Sequence, residues 1–181
     1  MEVRAQLVIV GVVALGWAAG NLVTVRPVMG NAAETERLSL AALEERVARS
    51  PEDVVGARVL LRRYLDLGMT RLARDTFRRA PARIQRDGIV TLYAARAEEA
   101  LGNVVVANAL VNGALGRCGV IPMELGEGAG CDVRTQAELS IEGAALDRMI
   151  QWNITPLSDP QRASLAHELS TRPVRIMARG R

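Results

Sequence analysis

Lysine is absent from this chain, so its 23 basic residues are all arginine. Aromatics are scarce at 3%, comprising two Trp, two Tyr and one Phe. Only two Cys and one His are present. Each scarcity excludes something. Two Cys cannot build a disulfide-dense scaffold. Even with the His they cannot complete a four-ligand Cys/His zinc site. So few aromatic side chains make a poor platform for stacking nucleic-acid bases, and no nucleic-acid partner is expected. The haem-attachment motif Cys-x-x-Cys-His is missing, as is the redox motif Cys-x-x-Cys. Residues 126–130 read Gly-Glu-Gly-Ala-Gly, but no Lys follows and the phosphate-loop spacing is wrong. No metal and no cofactor are therefore expected. His167 has Glu168 beside it but no nucleophile motif or paired catalytic carboxylate, and reads as a surface or interhelical side chain. The chain is expected not to be an enzyme.

What is present is a chain of 181 residues, 49% hydrophobic, enough for one ordinary domain with a packed core. Arginine without lysine, together with abundant alanine, points to a bacterial genome rich in G and C. Residues 5–25 carry no charge. As a helix this run would reach about 30 Å, the thickness of a bilayer core. Arg4 and Arg26 bracket it. The run reads either as a retained signal anchor, which its length favours, or as a cleaved signal peptide ending at Ala18-Ala19-Gly20. Both readings export the rest of the chain. The expected place is the inner membrane, with the soluble domain in the periplasm. Gly16 and Gly20 have the spacing that lets two membrane helices approach closely, so a helix–helix dimer in lipid is one expectation.

The middle of the chain repeats at an offset of 34 residues. Leu67-Gly68 recurs as Leu101-Gly102, Ala73 as Ala107, Ala80 as Ala114, Arg62 as Arg96 and Arg83 as Arg117. Each unit reads as a helix, a glycine turn and a second helix with small residues at the crossing. Leu60-Leu61, Tyr64, Gly68, Ala73, Phe77 and Ala80 resemble the tetratricopeptide repeat family at that family's spacing. The second unit departs from the pattern, with Glu98 in place of Tyr64 and with Thr91 where bulk is expected. Residues 36–49 read as the second helix of a preceding unit. Pro51 falls where such repeats end.

The expected fold is all-α. An N-terminal transmembrane helix (residues 1–26) and a linker (27–36) precede tetratricopeptide-like repeats (37–117). A Gly-rich loop (118–131), a C-terminal helical hairpin (132–171) and a basic tail (172–181) follow. Ser50 and Pro51 suit a helix start, as do Asp87, Asp132 and Ser158-Asp159-Pro160. Val133, Ala137, Ile141, Ala144 and Ile150 mark the expected apolar face of the helix after the loop. Cys118 and Cys131 flank the loop and are expected to pair in an oxidising compartment.

Charge is segregated along the chain. Residues 58–86 hold nine Arg against two Asp, and residues 121–147 hold six acids against one Arg. In the tetratricopeptide family the first helices line a concave peptide-binding groove. The resemblance places Arg58, Arg62 and Leu65 from one unit in it, and Leu92, Tyr93 and Arg96 from the next. Guanidinium groups bind carboxylates through two parallel hydrogen bonds, so an acidic or C-terminal protein segment is the expected ligand. The arginines on the second helix of the first unit are placed to meet anionic membrane lipid instead. Two functions follow: a membrane-anchored interaction scaffold or assembly factor, or an accessory subunit of a larger membrane complex.

Overall fold

The structure, a computed structural model, describes residues 35–118 and 131–171. Among the described residues there are helices and no strands. The uncharged run at 5–25 with Gly16 and Gly20, the loop at 119–130 and the tail at 172–181 lie outside them. No described helix is long and apolar enough to cross a membrane.

The first helix, α1 (Leu40–Arg49), begins later than the residue-36 start read from the sequence. The Ser39 hydroxyl accepts from the Ala42 N–H at 3.3 Å and sets that start. Helix α2 (Val54–Asp66) is likewise capped by Asp53 rather than by Ser50 and Pro51. Asp53 Oδ1 takes the Gly56 N–H at 2.9 Å while Oδ2 takes Arg46 Nε at 2.7 Å. The carboxylate satisfies a free helix N–H and ties α1 to α2 in one group, which Ser50 could not do.

Helix α3 (Thr70–Arg79) follows a turn at Gly68, and helix α6 (Val104–Cys118) follows α5 (Gly88–Ala100) through a turn at Gly102. The two glycines have φ of +69° and +81°, where a side chain would be strained. The offset of 34 holds in three dimensions: α2 and α5 are both 13 residues long, and each starts on an aspartate cap. A short helix the sequence reading missed, α4 (Ala82–Gln85), lies between the hairpins. Its Gln85 side chain donates to the Phe77 and Ala80 carbonyls at 3.1 and 2.9 Å, covering the exposed end of α3.

Small residues let the helices approach. Ala73, Ala95, Ala97 and Ala107 are fully enclosed, and Tyr64 and Phe77 supply bulk beside them. Helix α5 packs on both α2 and α3, so the second hairpin sits across the first. Tyr64 donates its hydroxyl to Glu44 Oε1 at 2.8 Å, bridging α1 and α2. At the same offset, Glu98 accepts from Arg78 Nη2 at 2.7 Å, bridging α3 and α5. Both partners have moved by 34 positions and the contact has survived with new chemistry. Thr91 is equally accommodated: its hydroxyl donates to the Gln85 and Asp87 carbonyls at 3.0 and 2.8 Å.

The last two helices, α7 (Val133–Gln151) and α8 (Pro160–Thr171), form a third hairpin, with α7 packed on α6 and α5. The apolar face read from the sequence for α7 is not the buried one. Thr135, Leu139, Glu142, Leu146 and Met149 point inward, while Val133 is 85% exposed and Ile141 and Ile150 are exposed as well. Two polar residues on the inner face displaced the hydropathy pattern. Helix α6 runs through Gly116 to Cys118, the residue at which the sequence reading begins the loop. Cys118 and Cys131 pair as expected, with Cα atoms 5.1 Å apart. Cys131 then leads directly into Asp132, whose Oδ1 caps α7 at the Thr135 N–H, 2.6 Å away.

Gly88 stands against this junction: a methyl there would lie 2.9 Å from Cys131 Sγ and 3.1 Å from Thr135 Cγ2. Gly88→Ala should therefore destabilise by about 1–3 kcal/mol despite alanine's better helix propensity. At Gly116 an added methyl meets nothing within 4 Å. Gly116→Ala should stabilise by about 0.5–1 kcal/mol. Urea unfolding midpoints test both, and equal gains would contradict the tight junction.

Burial, then the bond to Glu44, push the Tyr64 phenol up to about 12. An acid whose value is higher in the folded state stabilises fully below its unfolded value, about 10. That contribution is lost as pH rises through about 12. Ultraviolet titration should show a phenol ionising there, and Tyr64→Phe should remove the step. Native protein without such a high-pH step would contradict the bridge.

Candidate functional site

The residues proposed for the groove do not share one fate. Arg58 grips Asp87 with two hydrogen bonds, Nε to Oδ1 at 3.0 Å and Nη2 to Oδ2 at 2.5 Å. That bond, with the charge of Asp87, raises the Arg58 pKa above its ordinary value against the opposing effect of burial. Asp87 is itself buried and caps α5 at the Val90 N–H, 3.0 Å from Oδ1. Arg96 donates from Nε to Glu142 Oε2 at 3.1 Å. Both guanidinium groups are thus held by the protein's own carboxylates. Arg62 is paired more loosely: its side chain is 58% exposed, with Glu36 at 3.4 Å and Asp66 at 3.9 Å.

Leu92 is fully enclosed in the core formed by α5, α6, α7 and α8, so it cannot line a groove. A leucine at that point of α5 serves the hairpin stack, whereas the family resemblance places it on the groove face. Leu65 packs at the edge of the core around Leu60 and Tyr64, and Tyr93 at the edge of the core around Leu61 and Phe77. A small hollow lies beside them, bounded by Arg58, Asp87, Ile89, Cys131, Asp132 and Thr135. Two carboxylates stand in its wall.

The arginines without partners are elsewhere. Arg71 and Arg79 on α3, Arg83 on α4 and Arg86 just after it are exposed. Their side chains make no ion pair or hydrogen bond among the described residues, although the charge of Arg79 helps lower the pKa of the nearby Asp75. Their neighbours are occupied: Arg74 pairs with Asp75 at 2.9 Å and Arg78 with Glu98 at 2.7 Å. No known family model matches this chain, nor does any curated protein or solved structure.

A second polar cluster lies inside the molecule, where α5, α7 and α8 meet. His167 Nε2 is 2.7 Å from Glu99 Oε1, and the Glu142 carboxyl lies beside them, held by Arg96. Burial, then the neighbouring Glu99 carboxylate, push Glu142 up to about 7. Glu99 sits below the ordinary carboxylate value: burial opposes ionisation, but its hydrogen bonds to His167 and Glu142 outweigh it. The bond to Glu99 raises His167. Sequence reasoning set His167 aside and did not single out Glu99 or Glu142. The three are 43 and 25 positions apart, on three helices, with no motif spacing. The one available signal was a glutamate on each of α5 and α7 facing the core side of its helix.

The structure predicts that Arg58 and Arg96 are structural. Replacing either by Ala leaves a buried carboxylate without its partner and should cost about 1–3 kcal/mol. Arg62→Ala should stay within about 0.5 kcal/mol of the parent. Thermal or urea unfolding separates these outcomes, and equal effects at all three positions would refute the distinction.

Proposed function

We propose that this chain is a helical-repeat interaction scaffold of the tetratricopeptide kind, held at a membrane by residues 5–25, that receives an acidic protein segment. The repeat reading rests on two hairpins with a 34-residue offset, each opened by an aspartate cap and turned at a glycine. A third hairpin stacks on them. The observation that carries the ligand class is the set of unpaired arginines on α3 and α4: Arg71, Arg79, Arg83 and Arg86. Exposed guanidinium groups without internal partners are free to grip carboxylates, whereas Arg58 and Arg96 are already engaged. The binding face therefore moves from the concave ladder, where Arg62 too has Glu36 and Asp66 beside it, to the edge formed by α3 and α4.

A second reading, the accessory subunit of a larger membrane complex, draws on exposed apolar side chains. Val133, Leu157 and Val105 are 85%, 71% and 69% exposed, apolar surface that a permanent partner would cover.

A fluorescent glutamate-rich peptide tests the first reading by anisotropy. Replacing Arg71, Arg79, Arg83 and Arg86 together by Gln should weaken its binding by at least about tenfold. Helicity should be unchanged, and binding by the parent should weaken with added salt. Undiminished binding by the quadruple variant would overturn the assignment. Binding to anionic vesicles but not to the peptide would replace the protein ligand by lipid.

A further inference from the structure

Glu99 of α5, Glu142 of α7 and His167 of α8 each offer one oxygen or nitrogen atom, and these atoms all lie within 4.8 Å of one another. Glu142 is only 3% exposed. Arg96 occupies its Oε2, while no nitrogen or hydroxyl donor among the described residues meets its Oε1, and the other group bonded to this carboxyl is itself acidic, Glu99. A buried carboxylate oxygen of this kind is costly unless positive charge or a donor meets it. Nothing in the scaffold reading uses this group.

We propose that Glu99, Glu142 and His167 form a binding site for a divalent transition-metal ion, with zinc the best fit. The donor set argues the class. Calcium and magnesium take all-oxygen shells, whereas an imidazole nitrogen beside carboxylates suits zinc, cobalt or manganese. Three protein ligands are the number that leaves a fourth, open position on zinc. Solvent reaches the cluster from the His167 side, where the side chain is 36% exposed while both glutamates are buried, so a fourth ligand would come from there. Bonds of about 2.0–2.2 Å would place neighbouring ligand atoms roughly 3.4 Å apart, so the widest separation contracts by about an ångström and the His167–Glu99 contact opens slightly. Arg96 then acts as the outer partner that orients the Glu142 carboxylate. Once an ion displaces the protons of His167 and Glu142, two carboxylates face one guanidinium, which leaves negative charge for the cation to meet. The same ion joins α5 of the second hairpin to both helices of the third.

Untagged full-length protein in mild detergent, first stripped with a chelator, tests the site. Zinc should bind at one ion per chain by calorimetry and raise the thermal midpoint. Cobalt should give the visible absorption of a four- or five-coordinate ion. Glu142→Gln and His167→Gln should each weaken zinc by at least about tenfold and remove the cobalt bands. Glu138→Gln, on the outer side of α7, should change neither. His167 lies at the solvent edge, so its variant folds even if the buried Glu142 variant does not. Failure of the parent to bind at about 100 μM zinc, or binding that survives both substitutions, would overturn the proposal.

Discussion

Asp87 holds the first two hairpins in register. Its carboxylate does two jobs that are usually separate. It satisfies one free N–H of α5, that of Val90, and it receives both arms of the Arg58 fork from α2. A helix cap fixes where a helix begins, and a two-bond arginine contact fixes how one helix faces another. Joined in one buried side chain, they determine where the second hairpin starts relative to the first. Asp53 does the same between α1 and α2 with Arg46. The stack is propagated by these aspartates as much as by its alanine-lined crossings.

Much of the fold was legible from residues whose local physics leaves little choice. Gly68 and Gly102 must turn the chain because their backbone is left-handed there. Asp87, Asp132 and Asp159 stand before helices and cap them. The pairing of Cys118 with Cys131 was expected from two lone cysteines flanking one loop. What was not legible came from polar groups that are buried for a tertiary reason. Glu142 and Thr135 face inward on α7, and an apolar-periodicity argument reads that face as the outside. Leu92 was misplaced for the mirror reason: its apolar character fits either a groove or a core, and only the neighbouring helices decide. That Arg58 and Arg96 are already engaged was not legible either, because Asp87 and Glu142 reach them from other elements.

The exchange of Tyr64–Glu44 for Glu98–Arg78 shows what a repeat conserves. Position and reach survive, while the bond changes from a neutral donor on a carboxylate to an ion pair. Asn103 completes the second version, donating to Glu98 Oε2 at 2.7 Å. A buried charge needs more than one partner, and the second unit supplies it. The weak resemblance of that unit to its neighbour is therefore a change of chemistry at a fixed contact, not a loss of the contact.

The third hairpin breaks the numerical period but not the pattern of caps. Asp132 follows Asp87 by 45 residues rather than 34. The surplus lies between two cysteines whose Cα atoms are 5.1 Å apart, immediately before the capping aspartate. Both ends of the loop are therefore pinned at one point, and its length does not enter the register of the helices on either side. A backbone cut anywhere inside it would yield two polypeptides that remain one covalent molecule. The array is continuous through a sulfur bridge where the peptide chain itself takes a detour.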